Sequence, residues 1–215
     1  MPEIDSIARP ISEIERRLLT AELQRIERRL RSFPRRAVSA SFVLCGVFCA
    51  LTVLATKEHE LVAIVFWIVL FLLISGWVCF SQRPKYSAEL HRLEDALSRN
   101  EVRETRIQSD AFVELEEIED EGACFAFQLG GNQIVFVSGQ DYYPSARFPN
   151  NDFSVIRVFD SSRTLVHEFI EKRGSKLKAR RSIPAETKSQ LKVPEHLQMI
   201  VGHVDELESL LVQER

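Results

Sequence analysis

The chain has 215 residues, with 28 Lys and Arg against 31 Asp and Glu and a formal charge of −3. This balance excludes a general nucleic-acid binder, which needs a basic surface to release phosphate counterions. Four cysteines are too few for a disulfide scaffold, and they are expected as reduced, small apolar side chains.

The N-terminal arm, residues 1–36, carries apolar residues at helical spacing. Ile7, Ile11, Ile14 and Leu18 are followed by Leu19, Leu23, Ile26, Leu30 and Phe33. This is a heptad-like seam with a one-residue skip. Ser12 and Glu15 predict a capping box at its start. The arm has no apolar signal region, and its arginines alternate with glutamates, unlike a transit peptide.

Two charge-free apolar runs follow, residues 37–56 and 61–80, separated only by Lys57, Glu58, His59 and Glu60. About twenty apolar residues suffice for a helix to cross some 30 Å of hydrocarbon. The expected fold class is therefore a membrane protein built on an antiparallel two-helix transmembrane hairpin. The short link forces the two helices to be neighbours. Arg25, Arg28, Arg29, Arg31, Arg35 and Arg36 precede the first run, and Arg83, Lys85 and Arg92 follow the second. The positive-inside rule then places both termini in the cytoplasm and only residues 57–60 outside. Ala37, Ser41, Cys45 and Cys49 recur every four residues, and Gly46 with Ala50 makes an adjacent small-residue pair. Such rows let helix backbones approach closely in lipid, against the second helix or a second copy. Trp77 reads as an interface anchor.

Residues 81–105 form a juxtamembrane cytoplasmic helix, with Tyr86, Leu90, Leu93 and Leu97 on one stripe. It is expected to pair with the N-terminal helix, within a homodimer or a larger membrane complex, the alternative being an Arg-rich amphipathic helix lying on the membrane surface.

From residue 106 onward the pattern changes to strands. The segment 111–119 reads as one strand, with a bulge at Glu116-Glu117. Residues 124–129 alternate around Phe125 and Phe127, and Gly130-Gly131-Asn132 turns the chain into a strand at 133–138. Residues 139–152 read as a long loop with exposed aromatics. Strands at 153–159 and 164–171 flank a turn at 160–163, and Gly174-Ser175 leads into a strand at 176–182. A short helix at 184–191, a strand at 197–201 and a terminal helix at 204–212 complete a small antiparallel β-rich domain. A β-roll or partly open barrel is expected, its terminal helix covering an open end or sheet edge.

Candidate sites are few. Lys176, Lys178 and Arg180 alternate, so a strand there presents one basic face, flanked by Lys172, Arg173 and Arg181. This cluster points to anionic lipid headgroups or a partner protein, or equally to a salt-bridged edge facing the acidic strand of the same or a neighbouring copy. Tyr142, Tyr143, Arg147 and Phe148 form a second candidate, a partner-binding loop. Glu114, Glu116, Glu117, Glu119, Asp120 and Glu121 read as a solvated acidic edge rather than an acid–base pair. The sequence carries no phosphate-cradling glycine loop, nucleophile motif or metal-ligand spacing, so no cofactor, metal or enzymatic activity is expected. The sequence points to a membrane-anchored interaction or scaffold protein whose cytoplasmic β-domain binds a protein or anionic lipid. An accessory subunit of a membrane complex is the first alternative. A membrane enzyme using the acidic strand or tyrosine loop is the second.

Overall fold

The computed structural model describes residues 6–55 and 60–212, with the side chains of 33–37, 40, 53–55, 60, 63, 82 and 83 excepted. The chain has a mixed helix and sheet fold that divides into two units. One comprises the residues up to Pro10, Glu101–Val158 and those from His167 on; the other is Ile11–Asn100 with Phe159–Val166.

The helical unit is made of α1 (Glu13–Ala55) and α2 (Glu60–Arg99). The capping box forms: the Ser12 N–H donates to Glu15 Oε2 at 2.8 Å, and the Glu15 N–H donates to Ser12 Oγ at 3.3 Å. Two of the N–H groups left open at the helix start are thereby satisfied. Contacts between α1 and α2 fall in antiparallel order. Arg16 Nη2 donates to Asn100 Oδ1 at 2.6 Å, the Phe42 and Phe71 rings meet edge-on at 6.0 Å, and Phe48 stacks on Trp67 at 5.5 Å. Trp67 Nε1 also donates to Thr52 Oγ1 at 3.1 Å.

In the polar half, Ile11, Leu19, Ile26, Leu93 and Ala96 are buried, with Leu23, Leu30, Tyr86, Leu90 and Leu97 partly covered. The second half of the expected seam thus faces inward from Leu19 to Leu30, while the Phe33 side chain lies outside the described residues. Its first half does not: Ile14 and Leu18 are exposed, and Ile7 lies in a strand. The buried row is Ile11, Glu15, Leu19, with Glu15 tucked in because it caps its own helix.

Of the two expected spans, the described residues show one. Among the described residues, one helical stretch, Ile64–Arg99, is long and apolar enough to cross a membrane by length and composition. In α1 the described apolar stretch is the shorter Ser41–Thr52, and residues 56–59, with most of the expected link, lie outside the described residues. Pro84 sits inside α2, at the border between its apolar and polar halves. It leaves the carbonyl four residues earlier without its helical donor.

The remaining part of the helical unit is the turn between two strands, β6 (Asp152–Phe159) and β7 (Leu165–Lys172). Asp160 closes this turn on itself, accepting from the Thr164 N–H at 2.8 Å and Ser162 Oγ at 2.6 Å. α2 holds it: the Ser161 N–H donates to Asp95 Oδ2 at 2.6 Å, and Arg99 Nη1 donates to the Asp160 carbonyl at 3.1 Å.

The β-unit consists of two sheets, not a roll or barrel. The first has the order β1-β2-β6-β7, where β1 is Ile7–Pro10 and β2 is Glu101–Gln108. The second has the order β8-β3-β4-β5-β9: Ser182–Ile183, Phe112–Leu115, Ala123–Leu129, Gln133–Gly139 and Met199–Val201. Its ladders are antiparallel except that β8 joins β3 in parallel.

β1 pairs antiparallel with β2, Ile7 opposite Glu104 and Pro10 opposite Glu101. The residues expected to be helical at both ends of the hairpin therefore supply strands, and the β-unit begins before residue 106. The bulge at Glu116-Glu117 is replaced by the end of β3 at Leu115.

Phe112, Phe125 and Phe127 from the second sheet meet Ile107, Phe153 and Val155 from the first, with Phe148 inserted between them. The other face of the second sheet is also buried. Val113, Leu115, Ala126, Ile134 and Phe136 pack under Val204, Leu207 and Leu211, from the 3-10 turn Val204–Glu206 and the terminal helix α4 (Leu207–Leu211). The terminal helix therefore covers a sheet face, not an edge or an open end. Burial on both faces explains why β4 and β5 read as nearly continuous apolar runs instead of clean alternation.

Candidate functional site

The segment after Gly174 is not the strand that its alternating charges suggest. Asn150 forms a single bridge with Lys176, and regular pairing resumes only at Ser182. The basic side chains have separate intramolecular partners. Lys172 Nζ lies 3.3 Å from Ser145 Oγ and 5.4 Å from the Phe148 ring centre. Arg173 Nη2 donates to Glu171 at 2.7 Å and Glu104 at 2.9 Å. Lys176 Nζ donates to the Ser145 carbonyl at 2.7 Å. Arg180 pairs with Asp205 at 3.0 Å, and Arg181 with Glu208 at 2.6 Å. Lys178 is exposed, without an ion pair among the described residues.

Glu104 is the hub of this charge network. Burial favours its neutral form. Hydrogen bonds from Arg9, Ser154 and Arg173 outweigh burial and hold its carboxyl at about 2.

The tyrosine loop is mostly interior. Tyr142 and Phe148 are fully buried, leaving Tyr143 and Arg147 at the surface. Tyr143 Oη donates to Glu117 Oε1 at 2.7 Å, and Arg147 Nη2 to the Lys172 carbonyl at 3.3 Å.

Tyr142 enters a network that sequence reading missed. Its hydroxyl donates a short hydrogen bond to Glu168 Oε1 and lies 3.2 Å from His196 Nε2, which is 3.4 Å from Glu168 Oε2. The Ser138 N–H donates to His196 Nδ1 at 3.1 Å, so the neutral ring carries its proton on Nε2, directed at this pair. Burial and the Glu168 charge push the tyrosine hydroxyl far above its ordinary pKa. Burial alone would raise Glu168. Hydrogen bonds from His196 and Tyr142 reverse the shift and keep it ionised. Tyr142 thus stays protonated at neutral pH. The trio's evident work is to tie β5, β7 and two loops together. Nothing local in the sequence marks residues so far apart as neighbours.

The small-residue row divides. Cys45 is buried and Ser41 and Cys49 are half-buried, whereas Gly46 and Ala50 face outward. A methyl group built on Gly46 would meet no atom within 4 Å. The Ala37 side chain lies outside the described residues. Trp77 is exposed.

Clefts among the described residues open in the β-unit, and two of them hold charged side chains. The larger, about 770 Å³, is polar and lined by Ser109, Asp110, Asn151, Asp152, Arg173 and Arg180, among others. Asp152 is fixed there by a two-pronged contact from Arg106, at 2.9 and 2.7 Å, which lowers its pKa. The smaller, about 440 Å³, has apolar walls from Ile118, Leu191, Val193 and Pro194, with Lys188, Glu121, Cys124 and Ser138 also lining it. Burial pushes the Cys124 thiol up to about 11, away from thiolate chemistry. Lys188 belongs to a four-residue helix, α3 (Ala185–Lys188), and reads in the sequence as an ordinary surface lysine.

The acidic residues are also partly engaged. Glu116 Oε2 accepts from the Ala185 N–H at 3.3 Å, Glu117 Oε1 from the Gly122 N–H at 2.9 Å, and Glu121 from Lys188. Among the described residues, no group of three His, Cys, Asp or Glu side chains is placed to hold a metal. No protein-family model matches the chain, and no curated protein or solved structure matches it.

Proposed function

We propose that the chain is a membrane-anchored scaffold, with both termini cytoplasmic and its two-sheet unit serving as a docking module for a protein partner. One observation carries the anchoring: only 6% of the most apolar stretch of α2 is buried. Leu61, Phe66, Leu73, Trp77 and Phe80 all stand exposed. A soluble core helix hides such residues, whereas a helix apolar all round and uncovered matches hydrocarbon as its solvent. The shorter apolar stretch of α1, in antiparallel contact with α2, completes a helical hairpin across the bilayer. The arginines flanking it favour the cytoplasm for both ends.

Pairing within the basic cluster favours a protein over a lipid surface as the docking partner. Membrane-surface charge gains about 1 kcal/mol per free cation. Arg173, Arg180 and Arg181 already face carboxylates, so little of that attraction is left. Arginines at the rim of a polar cleft fit a protein surface better. The outward Gly46 and Ala50 favour a second reading, in which a partner helix packs there and the chain is a subunit of a membrane complex.

Carbonate extraction and single-cysteine labelling test the anchoring. The full chain should stay with the membrane pellet. In a background without native cysteines, Lys178→Cys should resist an impermeant maleimide in intact cells and react after lysis. Release into the supernatant would sink the anchoring, and labelling in intact cells would invert the topology. For docking, the full chain in mild detergent should co-purify a protein that Arg173→Glu with Arg180→Glu loses. Retention of that protein by the double variant would remove the cleft from the reading.

A further inference from the structure

The smaller cleft has a feature that structural packing leaves unexplained. Lys188 is 4% exposed, yet its carboxylate partner, Glu121, has a side chain 46% exposed. A buried ammonium is costly unless fully compensated, and a sealed core would enclose both members of the pair. Here the cation is enclosed and its counter-ion stands at the solvent side.

Glu121 also has a second duty, since its Oε1 accepts the Ile118 N–H at 3.0 Å and closes the turn before Gly122. That turn can be held by any oxygen acceptor at the position. The charge on Glu121 is needed only by Lys188.

The walls beside the cation are mixed: Ile118, Leu191, Val193 and Pro194 form an apolar part, and Gly122, Cys124, Ser138 and Ser189 complete the lining. Lys188 is the sole cation and Glu121 the sole anion among the lining residues. One enclosed cation selects a monoanion, because a phosphate dianion would meet one positive charge and one carboxylate. The apolar part of the wall, Ile118, Leu191, Val193 and Pro194, suits a short hydrocarbon body. The volume, about 440 Å³, is within the range of small-molecule sites.

We propose that this cleft binds a small apolar monocarboxylate. Its carboxylate pairs with Lys188 in place of Glu121, and its chain lies against Ile118, Leu191 and Val193. The site shares no lining residue with the polar cleft, and so stands or falls separately from partner docking. Glu121 acts as an internal competitor, occupying the cation while the site is empty.

The test is equilibrium dialysis of radiolabelled hexanoate against the full chain in nanodiscs, with empty nanodiscs as the blank and hexylamine as the opposite-charge control. Saturable hexanoate binding is expected, without saturable hexylamine binding. Lys188→Met should weaken hexanoate by about tenfold or more, the loss of one charge-assisted contact. Glu121→Gln keeps an oxygen for the Ile118 N–H and removes the competing charge, so it should tighten hexanoate severalfold. A purely structural ion pair makes the opposite expectation, no hexanoate binding in any variant. If Lys188→Met loses its folded circular dichroism spectrum, Leu191→Trp replaces it, filling the cleft while leaving the cation in place. Absence of saturable hexanoate binding, an affinity unmoved by Glu121→Gln, or full binding to Leu191→Trp would each overturn the proposal.

Discussion

Cutting the chain at residue 106 should destroy the β-unit, although every strong turn signal lies beyond that point. The reason is the pairing of β1 with β2. A fragment of residues 106–215 loses β1 and most of β2. Val102 is fully buried, and its loss removes about 1.5–3 kcal/mol of burial. Loss of Glu104 leaves the buried Ser154 hydroxyl without the acceptor it reaches at 2.7 Å, a cost of about 1–3 kcal/mol. Together these amount to roughly 2.5–6 kcal/mol, a large part of the 5–15 kcal/mol typical of a whole domain. Pro10 and Glu101 face each other in the ladder, so an Asn-Gly turn can join them once the helices are excised. The rejoined chain, residues 6–10 linked to 101–215, should unfold cooperatively in urea when followed by circular dichroism. The 106–215 fragment should show no such transition or one shifted far to lower urea. Equal midpoints for the two would refute the argument, because β1 and the start of β2 would then contribute nothing.

Neighbouring leucines in α1 make a second contrast. Leu19 is 0% exposed and Leu18 51%, so Leu19→Ala should cost about 2–4 kcal/mol and Leu18→Ala less than about 0.5 kcal/mol in thermal unfolding of the full chain. Equal effects would mean that the helices do not meet along this row. The low pKa of Glu104, about 2, gives stability that is fully present above the ordinary carboxylate value of about 4.5 and lost as pH falls toward the folded value. Glu104→Gln should flatten the urea midpoint against pH between about pH 5 and pH 3; an unchanged slope would assign the acid sensitivity elsewhere. Gly122 has φ +86°, and a Cβ there would lie 2.4 Å from the Gly139 carbonyl carbon. Gly122→Ala should therefore cost more than about 2 kcal/mol, while Gly130→Ala, with open space around it, should cost less than about 1 kcal/mol. Similar urea midpoints for the two variants would contradict the close approach of these turns.

The sequence by itself determined the features whose causes are local. The capping box needs only Ser12 and Glu15 three residues apart, and the inward row from Leu19 to Leu30 needs only helical spacing. The hairpin of β4 and β5 follows from Gly130-Gly131-Asn132, where Gly131 and Asn132 take the positive φ angles that their types tolerate. Tertiary structure decided what depends on partners distant in the chain. Residues 7–10 carry no strong strand signal; they become a strand because β2 offers them an edge to pair with. Ile14 and Leu18 fit the seam by spacing but face outward, because the helix starts from a cap at Ser12 that turns Ile11, Glu15 and Leu19 inward. Alternation alone marked Lys176, Lys178 and Arg180 as one face, but carboxylates brought by the C-terminal helices and the first sheet drew the neighbouring arginines into separate pairs. The enclosure of Lys188 and the meeting of Tyr142 with Glu168 and His196 have no local signature. They arise where loops and strands of separate sequence regions are packed against one another, and side-chain burial is a property of that packing rather than of residue type.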